Sequence, residues 1–306
     1  MPALKCYLFG QFHMKYEEQV WYGPESSKAN ELLCYLLAHP ATPHRRETLA
    51  GLLWGDYSGL QSKKCLRQAL WQLQSGYVAF LGATSEPLIT TTPEWVRINA
   101  SAQLWEDITL FEQAYAALPR DAALTADIAA HLHQAVEVYQ GEPFAGLDED
   151  WCLFERERLQ NMYLVMLDKL LVYSERQQAY DAALDYGARL LRHDPANERT
   201  HQHLMRIHYL AGDRTEALRQ YERCVIALRE ELDVRPSGTT AALYGQLRAD
   251  AVEPVSTTPG LNSLSPSVLA PTTLIDRLKQ IYLMLTGLQM EVKQEIERLE
   301  QDNNNK

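Results

Sequence analysis

At 306 residues and 46% hydrophobic content, the chain is long enough for about two domains and too apolar for wholesale disorder. A net charge of −11 excludes a protein that coats nucleic acid along its whole length, and five scattered cysteines offer neither metal-site nor redox-pair spacing. No run of about 18 apolar residues occurs, since Ile281–Met290 is short and interrupted by Thr286, Gly287 and Gln289, so no membrane span is expected.

The N-terminus shows no basic segment followed by an apolar run and a small-residue cleavage site, so a cytoplasmic protein with reduced thiols is expected. The first section, residues 1–102, opens with strand-like stretches at Leu4–Phe9, Gln11–Tyr16 and Val20–Tyr22, punctuated by Gly10 and Gly23. Ser26 or Ser27 can cap a helix whose Leu32, Leu33, Leu36 and Leu37 recur at helical spacing, and Pro40 ends it. A second helix is predicted from about Arg45, burying Leu49, Leu52, Leu53 and Trp54, and a third over Leu60–Gly76. Leu88–Thr91 and Trp95–Asn99 flank a Thr92–Pro93–Glu94 turn and predict a hairpin. Strands, three helices and a hairpin, in that order, match a winged helix with an N-terminal sheet.

Residues 103–250 are predicted to be helical almost throughout, with breaks at Pro119, Gly141–Pro143, Asp194–Pro195, Gly212–Asp213 and Pro236–Gly238. Ala183 and Ala217 lie 34 residues apart in similar small-residue faces, which is the helix–turn–helix period of tetratricopeptide arrays. A Ser/Thr/Pro-rich stretch, 251–271, predicts a flexible linker. A last helix, 272–302, carries Leu274, Leu278, Ile281, Leu285, Leu288, Val292 and Leu299 at 4-3 spacing. That is either a coiled-coil seam joining two chains or a helix folded onto its own chain.

The acidity is unevenly placed. Residues 1–100 carry nine Lys/Arg and eight Asp/Glu, whereas residues 101–250 carry 15 and 25. The first section is therefore the part suited to phosphate, and the second to protein contacts. If the third helix buries Leu66, Leu70 and Leu73, then Gln61, Lys64, Gln68, Trp71 and Ser75 face outward, with Lys63 and Arg67 on the flank. Gln can pair with adenine, and Lys or Arg with guanine acceptors or phosphate, so Gln61, Lys64 and Gln68 are assigned to base edges and Lys63 and Arg67 to phosphate. Arg45 and Arg46 are placed to hold backbone, and Thr91, Thr92 and Arg97 in the hairpin to approach the minor groove. Taken alone, such a face is usually a solvated one. Trp71 either packs on a sugar or thymine methyl or is covered by protein.

Other constellations point to structure. His131 with His133, and His201 with His203, stand two residues apart and point away from each other on a helix, so no metal is expected. Asp148, Glu149 and Asp150 suit the positive end of a helix starting near Trp151. Trp151, Arg156 and Arg158 are read as packing and ion pairing. No nucleophile–base arrangement or GxxxxGK[ST] loop occurs, so neither an enzyme nor a cofactor is expected.

Several stretches together resemble the bacterial transcriptional activator domain family and its antibiotic-regulatory activators. They are Leu8–Phe12, Leu32–Leu37 followed by Pro40, Leu49–Trp54, Leu66–Leu70, Tyr139–Phe144, Trp151 with Glu155–Leu159, Asp194–Glu198, and Ala211–Leu218 with Tyr221. The resemblance covers about residues 4–248 and implies a mainly α protein, a response-regulator-type winged helix followed by a tetratricopeptide-like domain. It further implies a homodimer on direct repeats of double-stranded DNA, with the helical domain serving dimerisation or RNA polymerase contact. This chain departs from the pattern at Leu73–Gln74–Ser75–Gly76, where such proteins usually carry more Arg, and has no nucleotide-binding module. The function expected is transcriptional activation. The alternative is a scaffold or adaptor whose winged helix and repeats bind proteins without DNA.

Overall fold

Alternation sets the first strand: in β1 (Leu4–Tyr7), Leu4 and Cys6 point into the core while Lys5 stays exposed. A computed structural model describes residues 4–250 except 83–84, 103 and 120–122. The coiled-coil positions Leu274 to Leu299, and the linker before them, lie outside the described residues. Antiparallel to β1 runs β2 (His13–Tyr16), followed by β3 (Gln19–Trp21). Next come α1 (Ser27–Ala38), β4 (His44–Arg45), α2 (Arg46–Leu53) and α3 (Gly59–Leu81). The hairpin is β5 (Ile89–Thr91) and β6 (Trp95–Ile98), and β4 pairs with β6 to make a three-stranded sheet. This is a winged helix preceded by a small sheet.

Three details depart from expectation. The third helix does not stop at Gly76 but runs to Leu81, because Tyr77 continues its buried stripe and Gly76 rests against the Trp21 ring. Leu52, expected in the core, is 45% exposed; Leu49, Ala50 and Leu53 alone face inward from α2. The two-residue β4 and the later β7 (Leu104–Glu106) are too short to carry a periodic signal.

Strand β7 lies parallel to β1 and completes the sheet order β3-β2-β1-β7. Parallel neighbours need a long crossover, and here the whole winged helix is that crossover. The sheet thus crosses the expected division at 102/103, and the core is continuous from Leu4 to Leu190.

Helices follow from there: α4 (Asp107–Ala116), α5 (Ala126–Val138), α6 (Asp150–Arg176), α7 (Tyr180–His193), α8 (Glu198–Leu210), α9 (Arg214–Leu232) and α10 (Gly238–Ala249). The predicted breaks fall between them. Ala183 on α7 and Ala217 on α9 are both fully buried, as equivalent positions of stacked helical pairs require. A Cβ on Gly187 would collide with the Leu204 side chain, so this glycine sets how closely α7 and α8 approach. At the end of the stack, Tyr221 and Tyr244 lie parallel with centroids 4.1 Å apart, and the Arg214 guanidinium donates to the carbonyls of Leu247 and Arg248 at the end of α10.

Glu106 ends β7 at 7% exposure. Its Oε2 accepts from the Thr109 hydroxyl at 2.6 Å, while its buried Oε1 has no hydrogen-bond partner among the described residues. Burial, opposed by the Thr109 bond and reinforced by the Asp107 charge, pushes its carboxyl from 4.5 up to about 7. Because the folded state holds this proton more tightly than the unfolded state, stability falls as pH rises through that interval. Asp107 shifts in the same direction and shares the slope. Glu106→Gln should therefore stabilise the protein by about 1–2 kcal/mol at pH 8 and leave it nearly unchanged at pH 5. Urea unfolding at both pH values checks this, and a variant with the parent's full pH slope counts against it.

Candidate nucleic-acid interface

The turn between α2 and α3 is built around Ser62. Its buried hydroxyl lies 2.9 Å from the Trp54 carbonyl and within 3.2 Å of those of Tyr57 and Ser58. Trp54 is buried beneath the turn. With Leu66, Ala69, Leu70 and Leu73 fixed inward, helical geometry leaves Gln61, Lys64, Arg67, Gln68, Trp71 and Ser75 exposed. Trp71 is 66% exposed and Leu60, at the start of the same helix, 86%.

Lys63, Arg45 and Arg46 each have a partner within the protein. Lys63 Nζ pairs with Glu47 Oε1 at 2.7 Å, tying α3 to the first turn of α2. This ion pair holds the Glu47 carboxyl below its usual range. Arg46 opens α2 with its amide bonded to the Glu94 carbonyl at 2.9 Å and its Nη1 3.4 Å from the Thr92 carbonyl. That amide is therefore occupied and is not an open anion donor. Arg45 belongs to β4, facing Trp95 of β6 in register, and its guanidinium lies over the Trp95 ring at 5.3 Å.

In the hairpin, Thr92 Oγ1 accepts from the Trp95 amide at 3.0 Å, so this hydroxyl shapes the turn. Thr91, Thr92 and Arg97 are all exposed. A chain of contacts runs from the hairpin tip through Arg46 and Glu47 to Lys63, linking the wing, α2 and the start of α3. Trp95 and Glu47 were not among the expected residues. Arg45 and Trp95 are brought together only by strand register, and Glu47 and Lys63 only by the helix–turn–helix packing.

The acidic triplet lies where a helix start was expected: Glu149 immediately precedes α6 and Asp150 opens it. Glu149 also receives Lys28 of α1 at 2.7 Å, and Lys28 pairs with the buried Glu31, so the helix start is an anchor point for α1. Arg158 pairs with Glu112 and Glu155. His133 bonds to the Tyr186 hydroxyl and His203 to Glu175. Among the described residues, no group of three or more His, Cys, Asp or Glu is placed to hold a metal, and no helix is long and apolar enough to cross a membrane.

A winged helix with an exposed polar face on α3, continuous with a stack of helical pairs, defines the architecture. Residues 106–248 match the family model described as "Bacterial transcriptional activator domain". Among solved structures it is similar to Mycobacterium tuberculosis EmbR, determined in complex with a low affinity phosphopeptide. The TM-score is 0.63 at 17% identity, covering 83% of this chain and 67% of that one. No curated protein matches the chain significantly.

Proposed function

We propose that this chain is a sequence-specific DNA-binding transcriptional activator. The observation that carries the reading is the exposed face of α3, where Gln61, Lys64, Arg67 and Gln68 stand free above a turn rigidly pinned by Ser62. In this reading α3 enters the major groove, Gln61, Lys64 and Gln68 meet base edges, and Lys63, Arg67, Arg45 and Arg46 meet phosphate. The wing residues Thr91, Thr92 and Arg97 approach the adjacent minor groove. The Glu47 pair makes Lys63 the weakest of the phosphate contacts, since a phosphate must compete for it. Two protomers on direct repeats would supply the affinity that a section of net charge +1 lacks. The helical domain serves dimerisation or RNA polymerase contact.

The runner-up, a protein-binding adaptor, draws support from Trp71, an exposed aromatic amid that face. A salt titration of binding to genomic fragments separates the two readings. DNA binding should weaken linearly in log salt, and Arg67→Ala with Arg46→Ala should reduce the slope by about one for each phosphate left unneutralised. Gln68→Ala should relax preference at one base pair by about 1–3 kcal/mol. Absence of binding at low salt would overturn the proposal.

A further inference from the structure

Helices α7, α8 and α9 enclose a groove of about 490 Å³, within the size range of small-molecule sites. One wall is apolar: Leu184, Ala188 and Leu191 recur at helical spacing on α7, facing Leu204 and Ala227. The other wall is polar and cationic, made of His201, His208, Gln220 and Arg223, with Arg192 at its edge. None of the side chains lining the groove is acidic, although residues 101–250 carry a net charge of −10.

The polar wall is built from the inside outward. His201 and Gln220 are each only 3% exposed. His201 Nε2 lies 2.9 Å from the Pro195 carbonyl, which can only accept, so Nε2 carries the proton. His201 Nδ1 therefore accepts from the Gln220 amide nitrogen at 2.8 Å, which turns the Gln220 carbonyl toward Arg223 Nη1, also at 2.8 Å. Glu216, outside the groove lining, holds Nη2 at 2.8 Å. A buried relay thus fixes the orientation of a guanidinium whose side chain is 56% exposed, leaving further N–H groups to donate. His208 has no hydrogen-bond partner for its ring among the described residues, and burial lowers its proton affinity, leaving it a neutral donor at neutral pH.

We propose that this groove binds a small amphipathic carboxylic acid, its carboxylate on Arg223 and His208 with help from Arg192, and its apolar body along Leu184, Ala188 and Leu204. Charge complementarity selects an anion, and the apolar wall selects a hydrocarbon body over a free inorganic ion. A preset guanidinium loses little freedom on binding, which is why the buried relay matters.

Isothermal titration of the full chain with decanoate, without DNA, tests this apart from any role in DNA binding. Decanoate should bind with saturable heat, and decanol and decylamine at least about tenfold more weakly. Arg223→Gln should weaken decanoate binding by about tenfold, and Ala188→Trp, which fills the groove, should abolish it. Arg192→Gln, remote from the buried relay, provides a second head-group test should Arg223→Gln perturb the fold. No decanoate binding, equal binding of decanol, binding unchanged in the folded variants, or capture of an acidic peptide in place of decanoate would each overturn the proposal.

Discussion

Asp107→Ala should lower the unfolding free energy by about 4 kcal/mol, because two buried backbone amides at the end of β1 lose their only acceptor. Asp107 is 1% exposed. Its carboxylate accepts from the Leu8 amide at 2.8 and 3.0 Å, from the Phe9 amide at 3.0 Å and from the Ile108 amide at 2.8 Å. The chain at Leu8 and Phe9 has left the strand ladder, so without this carboxylate those donors face apolar surroundings. Burial, opposed by these same amides, raises the Asp107 carboxyl to about 6, which leaves it ionised and accepting at neutral pH. Asp107→Asn keeps one acceptor oxygen and should cost about half as much. Guanidinium unfolding at pH 7 measures both; a loss under about 1 kcal/mol for the alanine variant would show that water replaces the carboxylate.

Arg156→Ala should cost about 3 kcal/mol and loosen the loop after α5 from the N-terminal sheet. The Arg156 side chain is 12% exposed and pairs with Glu142 at 3.3 Å. Its Nε donates to the Pro143 carbonyl at 2.8 Å, and its Nη2 to those of Phe144 and Leu147 at 2.9 and 2.7 Å. These bonds hold a loop in which Phe144 adopts a positive φ of 56° while burying its ring. The loop in turn bonds to the first section, with Gly10 N to Glu142 O, Phe144 N to Leu8 O and Ala145 N to Gly10 O. Amide hydrogen exchange should therefore quicken at Gly10, Phe144 and Ala145 together. Lysine cannot fork to three carbonyls, so Arg156→Lys should recover only part of the stability. Exchange that quickens at Phe144 and Ala145 but not at Gly10 would show that the two sections are not coupled through this side chain.

Much of the fold was legible because it rests on local rules. Leucines at helical spacing set α1, Thr92–Pro93–Glu94 sets the hairpin, and Gly and Pro mark the breaks in the helical section except the one between α6 and α7, where Gln178 takes a positive φ of 58°. The outward face of α3 followed from the identity of its buried leucines, so Gln61, Lys64, Gln68 and Trp71 are exposed as expected. The strand β7 carried no such signal: three residues cannot show a period, and its partner β1 lies about a hundred residues earlier. Arg156 was read as packing and ion pairing, which it does, but spacing along a helix cannot reveal that three carbonyls of a distant loop converge on it.

By itself, then, the chain's pattern of apolar and punctuating residues determined a winged helix, a helical-repeat section and a polar outward face, since each depends on contacts within a few turns. Only the tertiary structure decided the rest. It tied Lys63 to Glu47, set Arg45 over Trp95, closed the first sheet with a strand from the second section, and aimed Arg223 into a groove through buried His201 and Gln220. Those arrangements join residues far apart in the chain, and their energies depend on burial and geometry that no local spacing encodes.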